Sequence, residues 1–198
     1  MSPRPRDGYS RSSSRGSWCR RAGEVSKTVE LRRHTANEGD VLSREGIEAA
    51  VEIGTQLHEA YEVLVSSGAQ RATQTLACFL AARGLRVSAG VIVDDRFRSD
   101  VEDRWKEAYE RAGAGDLESF RRVDRELVEK ESALLASALR DVFDQLADGG
   151  RALVVGHSPM QEAAVYGLTG TVVEPISKGA GVVVTQRADG SYDVYPTP

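Results

Sequence analysis

The body of the chain alternates short apolar runs with longer amphipathic segments. The segments with the length of strands occur at 29–31, 63–65, 91–93, 152–155, 182–184 and 192–195, and the first and the last of them each contain one acidic residue. Segments with helical spacing of apolar residues separate the first five runs, whereas a turn signal at 188–190 joins the last two as a hairpin. Parallel strands need such crossover helices. We therefore predict an α/β fold, a three-layer α/β/α sandwich with a mostly parallel central sheet.

The helical segments lie at 43–57, 72–84, 101–146 and 158–168. Ser43 is suited to cap the first of them. We expect this helix to bury an apolar face made of Ile47, Ala50, Val51, Ile53 and Leu57. The third segment is too long for one ordinary helix and contains the run Ala-Gly-Ala-Gly at 112–115, so we predict two helices there.

Composition indicates one soluble globular domain preceded by a tail. The chain has 198 residues, is 40% hydrophobic and carries a formal charge of −4. Residues 1–27 are rich in serine and arginine and offer little to bury, so we predict a disordered, dispensable tail and a folded domain at 28–198. A tether to nucleic acid or to an anionic surface is the alternative function of the tail.

The sequence lacks the signals of membrane or secreted proteins. No apolar run approaches the length of about 20 residues that spans a bilayer, and no secretory leader is recognisable. Cys19 and Cys78 do not make a disulfide framework. We expect a cytoplasmic protein that binds neither membrane nor nucleic acid.

Two of the three histidines come directly after predicted strands. Arg33-His34 follows the first, and His157 follows the strand that ends at Gly156. Arg71 lies just beyond the strand at 63–65. Because the carboxyl ends of parallel strands share one sheet edge, these side chains should converge. Guanidinium groups can grip two phosphate oxygens at once, so the set predicts a phosphate pocket.

At these residues the chain resembles the histidine phosphatase superfamily, whose best-known members are the phosphoglycerate mutases. The family's Arg-His-Gly corresponds to 33–35, its Ser-Pro-x-x-Arg-Ala-x-Gln-Thr to 67–75, and its late Gly-His to 156–157. The family's leucine-serine-glycine helix opening corresponds to 42–46. Thr35 replaces the family glycine, and Ala69 breaks the Ser-Pro pattern before the arginine. We still expect an ordinary backbone and an intact pocket.

The resemblance implies a phosphoglycerate mutase-like fold and a covalent mechanism. His34 would be the nucleophile that forms a phosphohistidine, and His157 would bind and stabilise the transferring group. Arg33 and Arg71 would hold the phosphate. We expect no cofactor or metal, because the sequence shows no histidine, cysteine or carboxylate cluster at ligand spacing.

Two further polar residues are candidate substrate contacts. Asn37 is close enough to His34 to reach the same phosphate, although a loop-forming asparagine is the alternative. Ser158, with the helix that opens at Pro159, would add free amides and a positive dipole end.

The general acid is the least defined residue of the site. A leaving alkoxide needs a proton, which a carboxylic acid can supply. The family carries its acid in a leucine-arginine-glutamate triplet, and the matching residues here, 97–99, read Phe-Arg-Ser. Asp100 is the first candidate and Glu102 the second. A solvated loop that supplies no acid is the alternative.

The predicted function is hydrolysis of phosphate monoesters of a small metabolite or a phosphoprotein. A phosphoglycerate-type mutase and a catalytically silent phosphate-binding module are the alternatives. The sequence ends three residues after Tyr195, without a long segment to fold over the site, which favours hydrolysis. We expect the charged stretch at 100–130 to cover the pocket and to select the substrate.

Overall fold

The computed structural model describes residues 26–197, in which a six-stranded sheet lies between two layers of helices. The strands are β1 (Lys27–Arg33), β2 (Asn37–Glu38), β3 (Val41–Leu42), β4 (Val63–Ser66), β5 (Ile92–Val93), β6 (Arg151–Gly156), β7 (Gly181–Gln186) and β8 (Tyr192–Pro196). The helices are α1 (Arg44–Gln56), α2 (Gln70–Arg83), α3 (Glu102–Ala112), α4 (Leu117–Val123), α5 (Arg125–Gln145) and α6 (Met160–Thr169), with a short 3-10 helix at Asp95–Phe97. Residues 1–25, which make up nearly all of the predicted tail, lie outside the described range.

The main sheet has the strand order β5-β4-β6-β1-β7-β8. Its first four strands are parallel, because β4 pairs in this way with β5 and β6, and β6 pairs with β1. β7 and β8 add an antiparallel edge that contains the predicted hairpin. The prediction of a mostly parallel central sheet is therefore confirmed.

Two hydrophobic clusters, one on each face of the sheet, make the three layers. On one face α1 and α2 pack against β4 and β6, with Phe79 and Leu153 fully buried. On the other face α3 to α6 cover the sheet, with Leu139 and Val154 at the centre of the larger cluster. Burial on both faces explains why β4 and β6 are nearly continuous apolar runs instead of alternating ones.

Helix α1 begins as predicted but buries only part of the predicted face, including Ala50 and Leu57. The Ser43 hydroxyl accepts a hydrogen bond from the backbone N–H of Gly46, which confirms the cap. The predicted burial of Ile47 and Val51 is wrong, since their side chains are 47% and 44% exposed. The helix instead packs through its small residues, because a Cβ at Gly54 would collide with the backbone of Phe79. Helix α1 therefore contacts α2 at Gly54 through close approach of the two backbones and not through interlocking side chains.

The charged stretch after β5 forms three helices instead of the predicted two. The predicted break occurs at Gly113, which ends α3 with a φ of 65°. A second break falls at Asp124, whose carboxylate accepts a hydrogen bond from the backbone N–H of Leu127 and caps α5. A lone aspartate among other charged residues gave no sign of this boundary. Among the helices within 26–197, none has both the length and the apolar character needed to cross a membrane.

Candidate active site

The carboxyl ends of β1, β4 and β6 lie side by side at one edge of the sheet. Arg33 at the end of β1 is in register with Gly156 at the end of β6. The pairing continues one residue further, because the His34 N–H donates to the Gly156 carbonyl over 3.0 Å. The Ser67 N–H likewise donates to the Val155 carbonyl over 3.1 Å. The three predicted motifs therefore meet.

A cavity of about 550 Å³ opens at this edge. Six of the predicted site residues line it: Arg33, His34, Asn37, Arg71, His157 and Ser158. Asp100, the first candidate for the general acid, is exposed and does not line the cavity, whereas Glu102 does. Of the two acid candidates, Glu102 is therefore the one that borders the cavity.

The hydrogen bonds of His34 define its tautomer. Its Nδ1 lies 2.7 Å from the Thr35 carbonyl oxygen, and a carbonyl only accepts, so Nδ1 carries the proton. Nε2 then holds a lone pair, and the Nε–H of Arg71 lies 3.3 Å from it. Burial, with the charges of Arg71 and Arg33 acting in the same direction, lowers the His34 pKa to about 4. The ring is therefore neutral near pH 7, the state that a nucleophile requires.

His157 is held in the opposite tautomer. Its Nδ1 lies 3.3 Å from Nη2 of Arg71, which can only donate, so Nδ1 accepts. Its Nε2–H donates to the Ser67 hydroxyl over 2.8 Å. Burial, followed by the charge of Arg71, lowers the His157 pKa to about 3. The ring lies 5.2 Å from that of His34 between centroids and is also neutral.

Arg71 joins the two histidines to a carboxylate that the sequence did not single out. Besides its contacts to His34 and His157, its Nη1 forms a 2.7 Å ion pair with Oδ1 of Asp40. Asp40 lies in the turn between β2 and β3, a short hairpin that was not predicted. Its position beside Arg71 depends on how that hairpin packs on α2, so no spacing in the sequence marks it.

Arg33 is anchored by the loop between α6 and β7. Its Nη1 donates to the Ile176 carbonyl over 2.9 Å, while its Nε is buried without a partner among the described residues. Burial lowers the pKa of the Arg33 guanidinium, opposed by the charge of Glu162. The result is a fixed cation beside His34.

Glu162, in the first turn of α6, is a buried carboxylate that the sequence reasoning missed. Its Oε1 accepts from the Ser158 hydroxyl over 2.6 Å and from the Ile176 N–H over 2.7 Å. Burial raises the Glu162 pKa, partly offset by these bonds and by the charge of Arg33. Ser158 was predicted to contact the substrate and lines the cavity, but its hydroxyl proton is donated to Glu162.

Asn37 is also engaged. Its Nδ2 donates to the Gly39 carbonyl over 2.7 Å, and its Oδ1 accepts from Nζ of Lys178 over 2.8 Å. Both Asn37 and Lys178 line the cavity. Lys178, from the loop before β7, adds a third cation that no motif indicated.

The Thr35 replacement is accommodated without unusual backbone geometry. Positive φ values within the described residues occur only at glycines, so Thr35 has an ordinary conformation, as expected. Its buried hydroxyl donates to the Gly46 carbonyl over 2.8 Å. The Thr35 side chain, which stands where the family pattern has glycine, therefore links the loop after β1 to α1 by a hydrogen bond.

The predicted cover at 100–130 does line the cavity. α3 and α4 contribute a mainly aromatic wall to which α6 adds a methionine: Trp105, Tyr109, Phe120 and Met160. Glu102 also comes from α3, and its Oε1 accepts from Nε of Arg98 over 2.8 Å. Across residues 26–197 no group of three or more histidine, cysteine or acidic side chains is placed to hold a metal ion.

Comparison with known proteins places this geometry in a family. The model of the histidine phosphatase superfamily (branch 1) matches residues 18–181. The chain belongs to the histidine phosphatase superfamily. A comparison with curated protein sequences gives no significant match.

Solved histidine phosphatase-like structures share the fold at low identity. Phosphoglycerate mutase from Bacillus anthracis str. Sterne is 17% identical with a TM-score of 0.67, and the match covers 88% of this chain and 93% of that one. Phosphoserine phosphatase from Entamoeba histolytica, in complex with 3-phosphoglyceric acid, is 16% identical with a TM-score of 0.62, covering 87% and 97%. The protein histidine phosphatase SixA, complexed with tungstate, is 18% identical with a TM-score of 0.54, covering 85% and 94%. The chain therefore shares its fold with both mutases and phosphatases.

Proposed function

We propose that this histidine phosphatase hydrolyses phosphate monoesters through a phosphohistidine at His34. The observation that carries the proposal is the unprotonated Nε2 of His34, fixed by the Nδ1–H bond to Thr35. Nε2 accepts a hydrogen bond from the guanidinium of Arg71, and Arg33 lines the same cavity as His34. A neutral nucleophile beside two cations suits attack on a dianionic phosphoryl group.

The reaction follows from these positions in two steps. In the first, Nε2 of His34 attacks phosphorus, the P–N bond forms, and the ester P–O bond breaks. The leaving oxygen takes a proton from an acid or from solvent. In the second, water attacks phosphorus and gives up a proton, the P–N bond breaks, and inorganic phosphate leaves. Arg33 and Arg71 neutralise the phosphoryl oxygens throughout.

His157 has to change its protonation to contact the phosphate. It directs its one N–H at Ser67 and receives a hydrogen bond from Arg71. A bound phosphoryl dianion would take over the hydrogen bond that Nη2 of Arg71 now donates to His157. Its negative charge would also stabilise the imidazolium form and so raise the His157 pKa. Protonation at Nδ1 then supplies an N–H for a phosphoryl oxygen. In this account, substrate binding itself charges His157.

Glu102 is the better placed acid of the two candidates, because it lines the cavity and Asp100 does not. Its Oε1 accepts a hydrogen bond from Nε of Arg98, and a carboxyl group has to carry a proton before it can act as an acid. We propose that Glu102 assists only leaving groups that need protonation. Esters with an acidic alcohol would leave without it.

The cavity wall favours hydrolysis over the mutase reaction. The part of it that α3, α4 and α6 contribute is formed largely by Trp105, Tyr109, Phe120 and Met160. Such a surface suits a leaving group with an apolar body that departs after the first step. A mutase is the second candidate, because Lys106 and Lys178 also line the cavity and a second phosphate needs its own cationic contacts.

Phosphate release from phenyl phosphate tests the proposal. The wild-type protein should release phosphate, and an alkaline quench during turnover should trap a phosphoryl group on His34 that mass spectrometry locates. His34→Ala should abolish both signals. His58→Ala is the matched control, since His58 is exposed and does not line the cavity. Labelling that persists in His34→Ala would exclude His34 as the nucleophile. Transfer in a bisphosphoglycerate-primed assay that exceeds hydrolysis would favour a mutase.

A further inference from the structure

The cavity has a rigid aromatic wall as well as its phosphate-binding groups. Trp105 of α3 and Phe120 of α4 are both buried and meet edge to face, with ring centroids 5.4 Å apart. Met160 at the start of α6 is also buried and lines the same cavity. A wall made of packed rings keeps its shape and presents apolar surface to whatever enters.

Tyr109 extends this wall outward. It lies one helical turn beyond Trp105 on α3, so the two side chains share a face of the helix. Its side chain is 56% exposed and makes no hydrogen bond or ring contact within residues 26–197, yet it lines the cavity. A half-exposed ring with no partner, continuous with a buried aromatic wall, is apolar surface that a ligand can cover.

Lys106 adds a charge next to this wall. It lines the cavity beside Tyr109, and within the described part of the chain it has no ion pair or hydrogen bond from its side chain. Glu102, one turn earlier on the same helix, is the natural partner for it, but that carboxylate bonds Arg98. Lys106 is therefore available to an anionic group inside the cavity.

We infer that the substrate is a small phosphate monoester whose leaving group contains an aromatic ring and carries a second negative charge. The ring would lie against Trp105 and Tyr109, and the charge would meet Lys106. The cavity volume of about 550 Å³ fits a molecule of this size. This inference rests on the proposed function, because it concerns the part of the substrate that His34 displaces.

Three esters of primary alcohols separate the contacts from the chemistry: ethyl phosphate, phenethyl phosphate and para-carboxyphenethyl phosphate. Their leaving alcohols have similar acidity, so differences in kcat/KM report binding of the ring and of the carboxylate. We expect phenethyl phosphate to exceed ethyl phosphate by about tenfold or more, since apolar pockets discriminate on the order of tenfold for even small apolar groups. The carboxylate should add several-fold more, mainly through a lower KM.

Two pairs of variants assign these preferences to residues. Tyr109→Ala should lower the phenethyl-to-ethyl ratio several-fold, whereas Tyr195→Ala should not, since Tyr195 is 53% exposed on β8 and lies outside the cavity lining. Lys106→Gln should remove the preference for the carboxylate. Lys130→Gln, an exposed lysine on α5 outside the cavity lining, is its control.

The outcomes distinguish this inference from the proposed function. Equal kcat/KM for ethyl and phenethyl phosphate, with phosphate release that depends on His34, would overturn the inference and leave the hydrolase intact. A ring preference that survives Tyr109→Ala, or a carboxylate preference that survives Lys106→Gln, would also overturn it. Absence of phosphate release from every ester, or release that His34→Ala retains, would instead contradict the proposed function, and the inference with it.

Discussion

The backbone N–H of Thr35 donates a hydrogen bond to the side-chain oxygen of Thr75 over 3.2 Å. The same Thr75 hydroxyl donates to the carbonyl oxygen of Arg71 over 2.8 Å. One buried hydroxyl therefore connects the loop that carries His34 to the first turn of α2. This link fixes the position of the His34 loop relative to Arg71, whose guanidinium contacts the His34 ring.

Replacing Thr75 with valine should weaken both the fold and the catalytic rate. The change preserves the shape of the side chain but leaves the buried N–H of Thr35 without an acceptor. An unsatisfied buried donor costs about 1–3 kcal/mol, which denaturant unfolding can measure. We expect kcat to fall as well, because His34 and Arg71 lose their common support. Thr55→Val, at an exposed threonine on α1, should change neither quantity; a Thr75→Val protein with unchanged stability would remove the proposed link.

Arg71→Ala should reduce kcat/KM by about a hundredfold or more, the usual effect of removing a donor to transition-state charge. Arg71→Lys should not restore the rate, because Nε, Nη1 and Nη2 of the guanidinium each contact a different group. Arg83→Ala, at the other end of α2 and outside the cavity lining, is the matched control. Near-normal kinetics in Arg71→Lys would show that catalysis needs only a positive charge at this position and not the planar guanidinium group.

The two site histidines should titrate well below the ordinary histidine range. Their pKa values lie at about 4 for His34 and about 3 for His157, against 6.5 in the unfolded chain. Because the folded pKa values are the lower ones, the protein should lose stability as pH falls from 6.5 through 4. Imidazole NMR titration, assigned with His34→Asn and His157→Asn, measures both values. Arg71→Ala should raise them, and titration of both rings near 6.5 in the wild type would contradict the site electrostatics.

Glu102→Gln should slow only the esters whose leaving group needs a proton. We expect a clear loss of kcat with ethyl phosphate and little loss with para-nitrophenyl phosphate, whose leaving phenolate is stable. Asp100→Asn is the control, because Asp100 does not line the cavity. Equal losses with both esters would assign Glu102 to binding or folding instead of proton transfer.

Glu162 should act as a support for the site. Glu162→Ala removes the acceptor of the Ser158 hydroxyl and of the Ile176 N–H, both of which bond its Oε1. Each lost partner costs about 1–3 kcal/mol in a buried setting, so unfolding experiments should show a large destabilisation. Glu162→Gln retains an acceptor oxygen and should stay within about 1 kcal/mol of the wild type. A large loss of stability in Glu162→Gln would show that the charge, and not the acceptor, holds the loop.

The sequence predicted the convergence of His34, Arg71 and His157 because strand ends in a parallel sheet share an edge. Motifs that follow β1, β4 and β6 must meet whatever the helices do. The apolar runs of β4 and β6 are nearly continuous and easily recognised, and in β1 the alternation of Val29 and Leu31 with polar residues gives the same indication. This part of the site depends on local pattern and topology alone.

The supporting residues depend on tertiary packing and could not be read in the same way. Asp40 reaches Arg71 only because a two-strand hairpin folds against α2. In the sequence, Glu162 looks like an ordinary acidic residue in the first turn of a helix. Its role appears only in the folded structure, where the loop around Ile176 covers it. The apolar face of α1 was misassigned for a related reason: glycines that permit close packing carry no hydrophobic signal.

Pairing of β1 with β6 and β7 has a consequence for synthesis on the ribosome. β1 supplies Arg33 and His34 and emerges first among the strands, yet both of its neighbours in the sheet are made late. Contacts between distant segments cannot form until both have been translated. A nascent chain that has not reached β6 therefore already carries Arg33, His34 and Arg71, but β1 lacks both of the strands that align it in the finished sheet.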